Sequence, residues 1–164
     1  MSVVAARIYD DHIAVAADSI MVNSYSKTAS LRFTKLERIN DMIVGCCGTA
    51  EEGALMWHYM RTHRPDKADE KSILDFFVEF KEWRTKFTFA DATNDYLMAF
   101  DGKLFYIGGD LLVTEVKEYY AIGAGEDFAN TALYLGCSPR EAVKVACEMS
   151  CFVSEPIKEE LMLS

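Results

Sequence analysis

Residue 2 of the chain is a serine, directly behind Met1, and an apolar, β-prone run begins at once at Val3. A strand that starts this early ties position 2 to a sheet, where most chains have a frayed tail. A serine at a chain terminus has a particular chemical asset. The terminal α-amine titrates at about 7.7–8.0, near enough to neutrality to act as general base for its own hydroxyl. Removal of Met1 is chemically easy when a small residue follows, and Ser2 is small. Such a nucleophile also needs a cation to favour the alkoxide, a carboxylate to hold that cation, and an amide donor for the oxyanion. Asp18, Lys35 and Gly48 are candidates for these three tasks. Gly48 lets a substrate carbonyl approach the main chain, and a helix start beside it adds a favourable dipole. Singly, each has a plainer role: a common residue after methionine, a turn cap, a surface lysine, a turn former.

The elements that must position these residues follow from the pattern. "SVVAARIY" suits a pleated, buried surface, "DDH" turns, and "IAVAAD" returns as a second strand ending at Asp18. Residues 22–31 are polar and read as a loop. In the strand "RFTKLERI", Phe33 and Ile39 share their parity with Lys35 and Glu37, so the facing stays ambiguous. "MIVGCC" is wholly apolar, as strands buried on both faces are. "GTAEEGALMWHYMRTH" reads as a helix with a capping box, Thr49 accepting from the third helical amide and Glu52 reaching back. Its Ala54, Leu55, Met56, Tyr59 and Met60 keep helical spacing. Asp69 caps a second helix, whose Ile73, Leu74, Phe76, Phe77, Phe80 and Trp83 form a broad apolar face.

"YLMAFDGKLFYIGG" reads as a hairpin turning on Asp101-Gly102, and "LLVTEV" and "EYYAIGAG" as further strands. "EDFANTALYLG" reads as a helix closed by Gly136. "SPREAVKVACEMSCF" opens on Ser138, with Pro139 in the first helical position and Glu141 closing a capping box. The tail "VSEPIKEELMLS" is acidic and weakly structured by pattern, and admits a short last strand. Strands joined by tight turns pair antiparallel, and each sheet must bury a face. The expected fold is α+β, a four-layer αββα sandwich of two packed antiparallel sheets flanked by helix pairs. It forms a single domain over residues 1–164, with no repeat, low-complexity segment or linker.

The bulk composition sets limits on function. At 164 residues and 51% hydrophobic content the chain can bury a sizeable core. Seventeen basic residues against 26 acidic ones give a net charge of −9, a poor start for gripping a polyanion, so no nucleic-acid partner is expected. No apolar run approaches a membrane span and no secretion signal is visible. The expectation is therefore a cytoplasmic protein with no membrane partner. The cysteines Cys46, Cys47, Cys137, Cys147 and Cys151 are odd in number and contain no CxxC pair. His12, His58 and His63 are scattered, whereas a zinc site usually gathers four ligands. The cysteines read as reduced core thiols, and neither metal nor cofactor is expected.

With these residues assembled, the chain resembles the proteasome β-subunit family, and most of all its bacterial HslV-type peptidase branch. "SVVAARIYDDHIAVAAD" is similar to the family's first hairpin, and taking Ser2 as the family's nucleophilic Thr sets Asp18 on its structural acid without a gap. "KLERI" resembles the motif of the active-site lysine, giving Lys35. "IVGCCGTAEEG" resembles the glycine turn that forms the oxyanion hole, giving Gly48. "KEWRT", "YAIGAGEDFA" and "SPREAVKVACE" resemble later family segments in the same order.

The resemblance implies an N-terminal-nucleophile hydrolase, a threonine-type endopeptidase that here uses serine, degrading cytoplasmic proteins or peptides. Ser2 Oγ would attack with its own amine taking the proton. Lys35 would lower the pKa of the hydroxyl, Asp18 would orient Lys35, and the Gly48 amide would hold the oxyanion. Cys46 and Cys47 fall where relatives build part of the substrate-pocket wall. Two departures touch the supporting shell: Ala124 stands where relatives carry serine, and Glu148 aligns with a family aspartate. Relatives form hexameric or heptameric rings, stacked in pairs, often with an ATP-dependent unfoldase, so a homo-oligomer and such a partner are implied. Ala124 leaves open the alternative of a catalytically impaired ring subunit or scaffold. A redox or metal protein using Cys147 and Cys151 is a third reading.

Overall fold

The alternation of side chains in the first hairpin decides the architecture. The structure, a computed structural model, describes residues 1–23, 26–28, 30, 33–88 and 93–163. Strands β1 (Val3–Ile8) and β2 (His12–Asp18) pair antiparallel, with Val4 opposite Ala17. Successive residues of a strand point to opposite faces, and both faces here are covered. Val3, Ala5 and Ala16 join one core, while Val4, Ala6, Val15 and Ala17 join another. β1 also pairs with β10 (Tyr119–Gly123) and β2 with β11 (Ile157–Leu163), giving a four-stranded sheet in the order β10-β1-β2-β11.

A five-stranded sheet faces it, built from β5 (Leu36–Ile39), β6 (Met42–Cys47), β7 (Asp95–Phe100), β8 (Lys103–Ile107) and β9 (Val113–Glu115) in sequential order. The same two-residue period divides β6: Met42, Val44 and Cys46 turn to helices, and Ile43 and Cys47 turn to the other sheet. Helices α1 (Ala50–Met60) and α2 (Glu70–Arg84) cover the five-stranded sheet through an aromatic core that includes Tyr59, Phe76, Phe77, Phe80 and Tyr96. Helices α3 (Glu126–Tyr134) and α4 (Pro139–Met149) cover the four-stranded sheet through Ala129, Ala132, Ala142 and Ala146, small residues that let them sit close. Three cores thus separate four layers, the αββα sandwich expected. Among the described residues, no helix is long and apolar enough to cross a membrane.

Local signals behaved as chemistry dictates at several ends. Asp101 and Gly102 both take positive φ, 48° and 73°, as the tight hairpin needs. Asp69 caps α2 by accepting from the Ser72 amide at 2.8 Å, and the Ser138–Glu141 capping box is complete.

Elsewhere the structure corrects the pattern. Part of the expected loop over residues 22–31 is the ribbon β3 (Met21–Asn23) paired with β4 (Ser26–Thr28), while residues 24, 25, 29 and 31 lie outside the described set. Backbone pairing holds this ribbon, so side-chain polarity hides it. Of the strand expected over residues 32–39, residue 32 lies outside the described set, residues 33–35 are not extended into the sheet, and β5 begins at Leu36. The last strand that the acidic tail admitted is present and longer than its weak pattern suggested, seven residues paired with β2 along its whole length. The β2 edge supplies that order, and the tail's own pattern does not reveal it.

The two sheets approach closely at Gly45, where an added Cβ would overlap Val4 Cγ1. Gly45→Ala is expected to destabilise the chain by about 1–3 kcal/mol through overpacking. With Val4→Ala the two changes should cost less together than the sum of the singles. A urea-denaturation double-mutant cycle measures both, and additive costs would contradict the close approach.

Candidate active site

Ser2 precedes β1, Asp18 ends the antiparallel β2, and the register that pairs Val4 with Ala17 brings these two ends together. Asp18 is fully buried and uses both carboxylate oxygens. Oδ1 accepts from the Val3 amide at 2.9 Å and Oδ2 from Lys35 Nζ at 2.8 Å. Burial pushes the Asp18 carboxyl above its ordinary range; the Lys35 ammonium opposes this, as do the backbone amides of Val3 and Ser154.

Lys35 reaches this carboxylate because the chain is bent just ahead of β5. Thr34 Oγ1 takes the Leu36 amide at 3.2 Å and donates to the Leu36 carbonyl. The Cys46 amide donates to the Lys35 carbonyl at 2.8 Å, fixing the main chain against β6. The ambiguous parity resolves accordingly: Leu36 packs between the sheets and Ile39 against the helix-side core. The Lys35 ammonium has a second partner, the Met1 carbonyl at 2.9 Å.

Gly48 lies between β6 and α1 with φ of +142°, a conformation side chains rarely adopt, and an added Cβ there would overlap the Asn94 side chain. Thr49 caps α1 by accepting from the Glu52 amide at 3.4 Å, but the other half of the expected capping box is absent. Glu52 is instead buried: it pairs with Arg84, accepts from the Tyr96 hydroxyl at 2.9 Å and from the Asn94 amide at 3.2 Å. Two buried donors and a guanidinium hold the carboxylate more strongly than one exposed cap amide would.

Ser2, Lys35 and Gly48 line one cleft of about 570 Å³, whose lining also includes Met21, Val22 and Thr28 of the ribbon, with Phe33. Asp18 lies beneath it, bonded to Lys35. Among the described residues, no hydrogen bond holds the Ser2 hydroxyl. The Ser2 main chain is held: its carbonyl accepts from the Gly125 amide at 3.4 Å, and Gly123, with φ of +96°, leaves no room for a Cβ against it.

The remaining candidates fall elsewhere. Cys46 and Cys47 do not line the cleft, because the strand's alternation buries the first under the helices and the second between the sheets. Burial raises the Cys46 thiol to about 12 and the Cys47 thiol well above its usual value, so neither is a ready thiolate. Ala124 is exposed on the turn before α3. Glu148 is exposed on α4, and among the described residues it makes no hydrogen bond or ion pair with Ser2, Asp18 or Lys35. Burial raises the Cys147 thiol to about 11, and Cys151 is exposed. The sequence reading missed Asn94, Arg84 and Tyr96. Pairing "MIVGCC" with "DYLMAF" would have found Asn94, since Cys47 opposite Asp95 sets residue 94 beside the Gly48 turn.

The whole chain superposes on solved structures. Thiobacillus denitrificans BPH in complex with epoxomicin matches with a TM-score of 0.90 at 21% identity, covering 98% of each chain. Thiobacillus denitrificans BPH without that ligand in its description matches at 0.87 and 20% identity, covering 98% of this chain and 97% of the other. Eukaryotic HslV from Trypanosoma brucei matches at 0.74 and 20% identity over 99% of both chains. At such identities the likeness establishes a shared fold, the one that the sequence resemblance implied. No protein-family model and no curated protein matches the chain.

Lys35→Met would leave the Asp18 carboxylate buried and unpaired. The expected loss is about 3–5 kcal/mol of folding stability, read by urea denaturation near neutral pH, with a much smaller loss for the exposed Lys71→Met. Equal effects of the two changes would contradict a buried pair.

Proposed function

We propose that this chain is an N-terminal-nucleophile peptidase whose attacking group is Ser2. The observation that carries the reading is the buried Lys35–Asp18 pair at the foot of the cleft that Ser2 and Gly48 also line. In this reading Met1 is removed, which frees the Ser2 amine and takes away the carbonyl that Lys35 now contacts. Ser2 Oγ then attacks the scissile carbonyl carbon while the Ser2 amine accepts its proton. The Lys35 ammonium favours the alkoxide, and the Gly48 amide donates to the tetrahedral oxyanion. The proton passes to the departing amine as the acyl ester forms. Water, deprotonated by the same terminal amine, hydrolyses the ester and restores the hydroxyl.

Peptides and unfolded cytoplasmic proteins are the proposed substrates. A homo-oligomeric ring of six or seven subunits, stacked and fed by an ATP-dependent unfoldase, is the proposed setting. HslV-like relatives support this extension by their shared fold. A second reading, a ring subunit that keeps the fold without the chemistry, draws on Ala124 and on the Met1 carbonyl seated at Lys35.

Intact mass spectrometry separates the two readings, with epoxomicin, the ligand of the Thiobacillus relative, as probe. The peptidase should lack Met1 and gain one epoxomicin per chain; Ser2→Ala should gain none and lose peptide hydrolysis. A retained Met1 with no adduct would mean the impaired subunit. Light scattering tests the assembly, and a monomer would overturn the ring.

Acid should act twice. Protonating the amine below about 7.7–8.0 removes the base and gives log kcat/KM a slope of one against pH. Asp18 binds its proton above the ordinary aspartate value of 3.8, and neutralising it releases Lys35. The slope should therefore steepen a second time at a pH above 3.8, and a single slope down to that pH would contradict the role given to Asp18.

A further inference from the structure

Buried polar groups that line no cleft are uncommon enough to require a reason, and Asn94 is one, only 1% exposed. Its side-chain amide forms both halves of a main-chain bridge. Oδ1 accepts from the Thr49 amide at 2.7 Å, and Nδ2 donates to the Thr49 carbonyl at 2.9 Å. The residue so clasped, Thr49, directly follows Gly48, whose amide is the proposed oxyanion donor. Asn94 is held in turn by Glu52, which takes its main-chain amide and the Tyr96 hydroxyl and pairs with Arg84. Residues from α1, α2, β7 and the segment before β7 therefore converge on the Thr49 main chain beside the cleft.

We infer that Asn94 is a positioning residue for the oxyanion amide, with Glu52, Tyr96 and Arg84 as its buried support. The inference rests on the proposed peptidase reading. Rotation of the Gly48 turn would misaim a donor whose value depends on preorganisation. Asn94 resists that rotation from the side away from solvent. Its absence would not block the cleft, so peptide binding should persist while attack slows.

The test is the kinetics of the mature enzyme on a fluorogenic peptide, with a peptide aldehyde as a reversible mimic of the tetrahedral adduct. Asn94→Ala should lower kcat about 10- to 100-fold, less than loss of the donor itself, with KM changed less than about threefold. Affinity for the aldehyde should fall in step with kcat, and affinity for the cleaved peptide should not. Tyr96→Phe, which removes one hydroxyl, should lower kcat several-fold with the same pattern, and it decides the matter if Asn94→Ala does not fold. Unchanged kcat, or a loss carried by KM alone, would overturn the inference. Ser2→Ala is assayed beside them. If it still hydrolyses peptide the nucleophile reading fails, whereas an inactive Ser2→Ala beside a fully active Asn94→Ala defeats only the clasp.

Discussion

The pairing of Lys35 with Asp18 constrains everything around it. An ion pair fully out of water gives back its desolvation cost only when geometry and extra hydrogen bonds are good. Asp18 meets that condition by taking the Val3 amide on its second oxygen, and β11 packs along β2 as far as Asp18 itself. The same carboxylate thus fixes a cation from the far sheet and the first amide of β1. Three chain segments are tied at one point, and Ser2 is the residue left next to the knot.

The layers explain why the knot lies where it does. Two sheets of alternating strands put every second side chain between them, so the mouth of the inter-sheet core is where β1 starts and where β6 ends. The helix layers differ in kind. Aromatic rings fill the space above the five-stranded sheet, while alanines bring α3 and α4 down onto the other. The cleft opens on the β6 side, where the turn into α1 and the ribbon supply its walls.

The fold was readable in the sequence wherever a local rule and a buried face agreed. The Asp101-Gly102 turn, the caps at Asp69 and Ser138, and the apolar strand "MIVGCC" needed no partner to be recognised. Ser2, Asp18, Lys35 and Gly48 could be named by chemical type, and the structure brings them to one place. What stayed hidden depended on long-range pairing. The length of β11 is set by backbone bonds to β2, remote in sequence, and the ribbon of β3 and β4 is held by backbone bonds that its polar side chains do not announce. Glu52 looked like half of a capping box because the competing partners, Arg84 and Tyr96, lie more than thirty residues away. Cys46 and Cys47 looked like pocket wall because a strand's facing cannot be known before its neighbours are.

The address of residue 2 is written in main-chain atoms. Its carbonyl is met by the Gly125 amide, the next amide is taken by Asp18, and Gly123 clears the space alongside. None of these contacts consults the side chain. The scaffold consequently positions this residue through its main chain and, among the described residues, leaves the hydroxyl free of any structural duty.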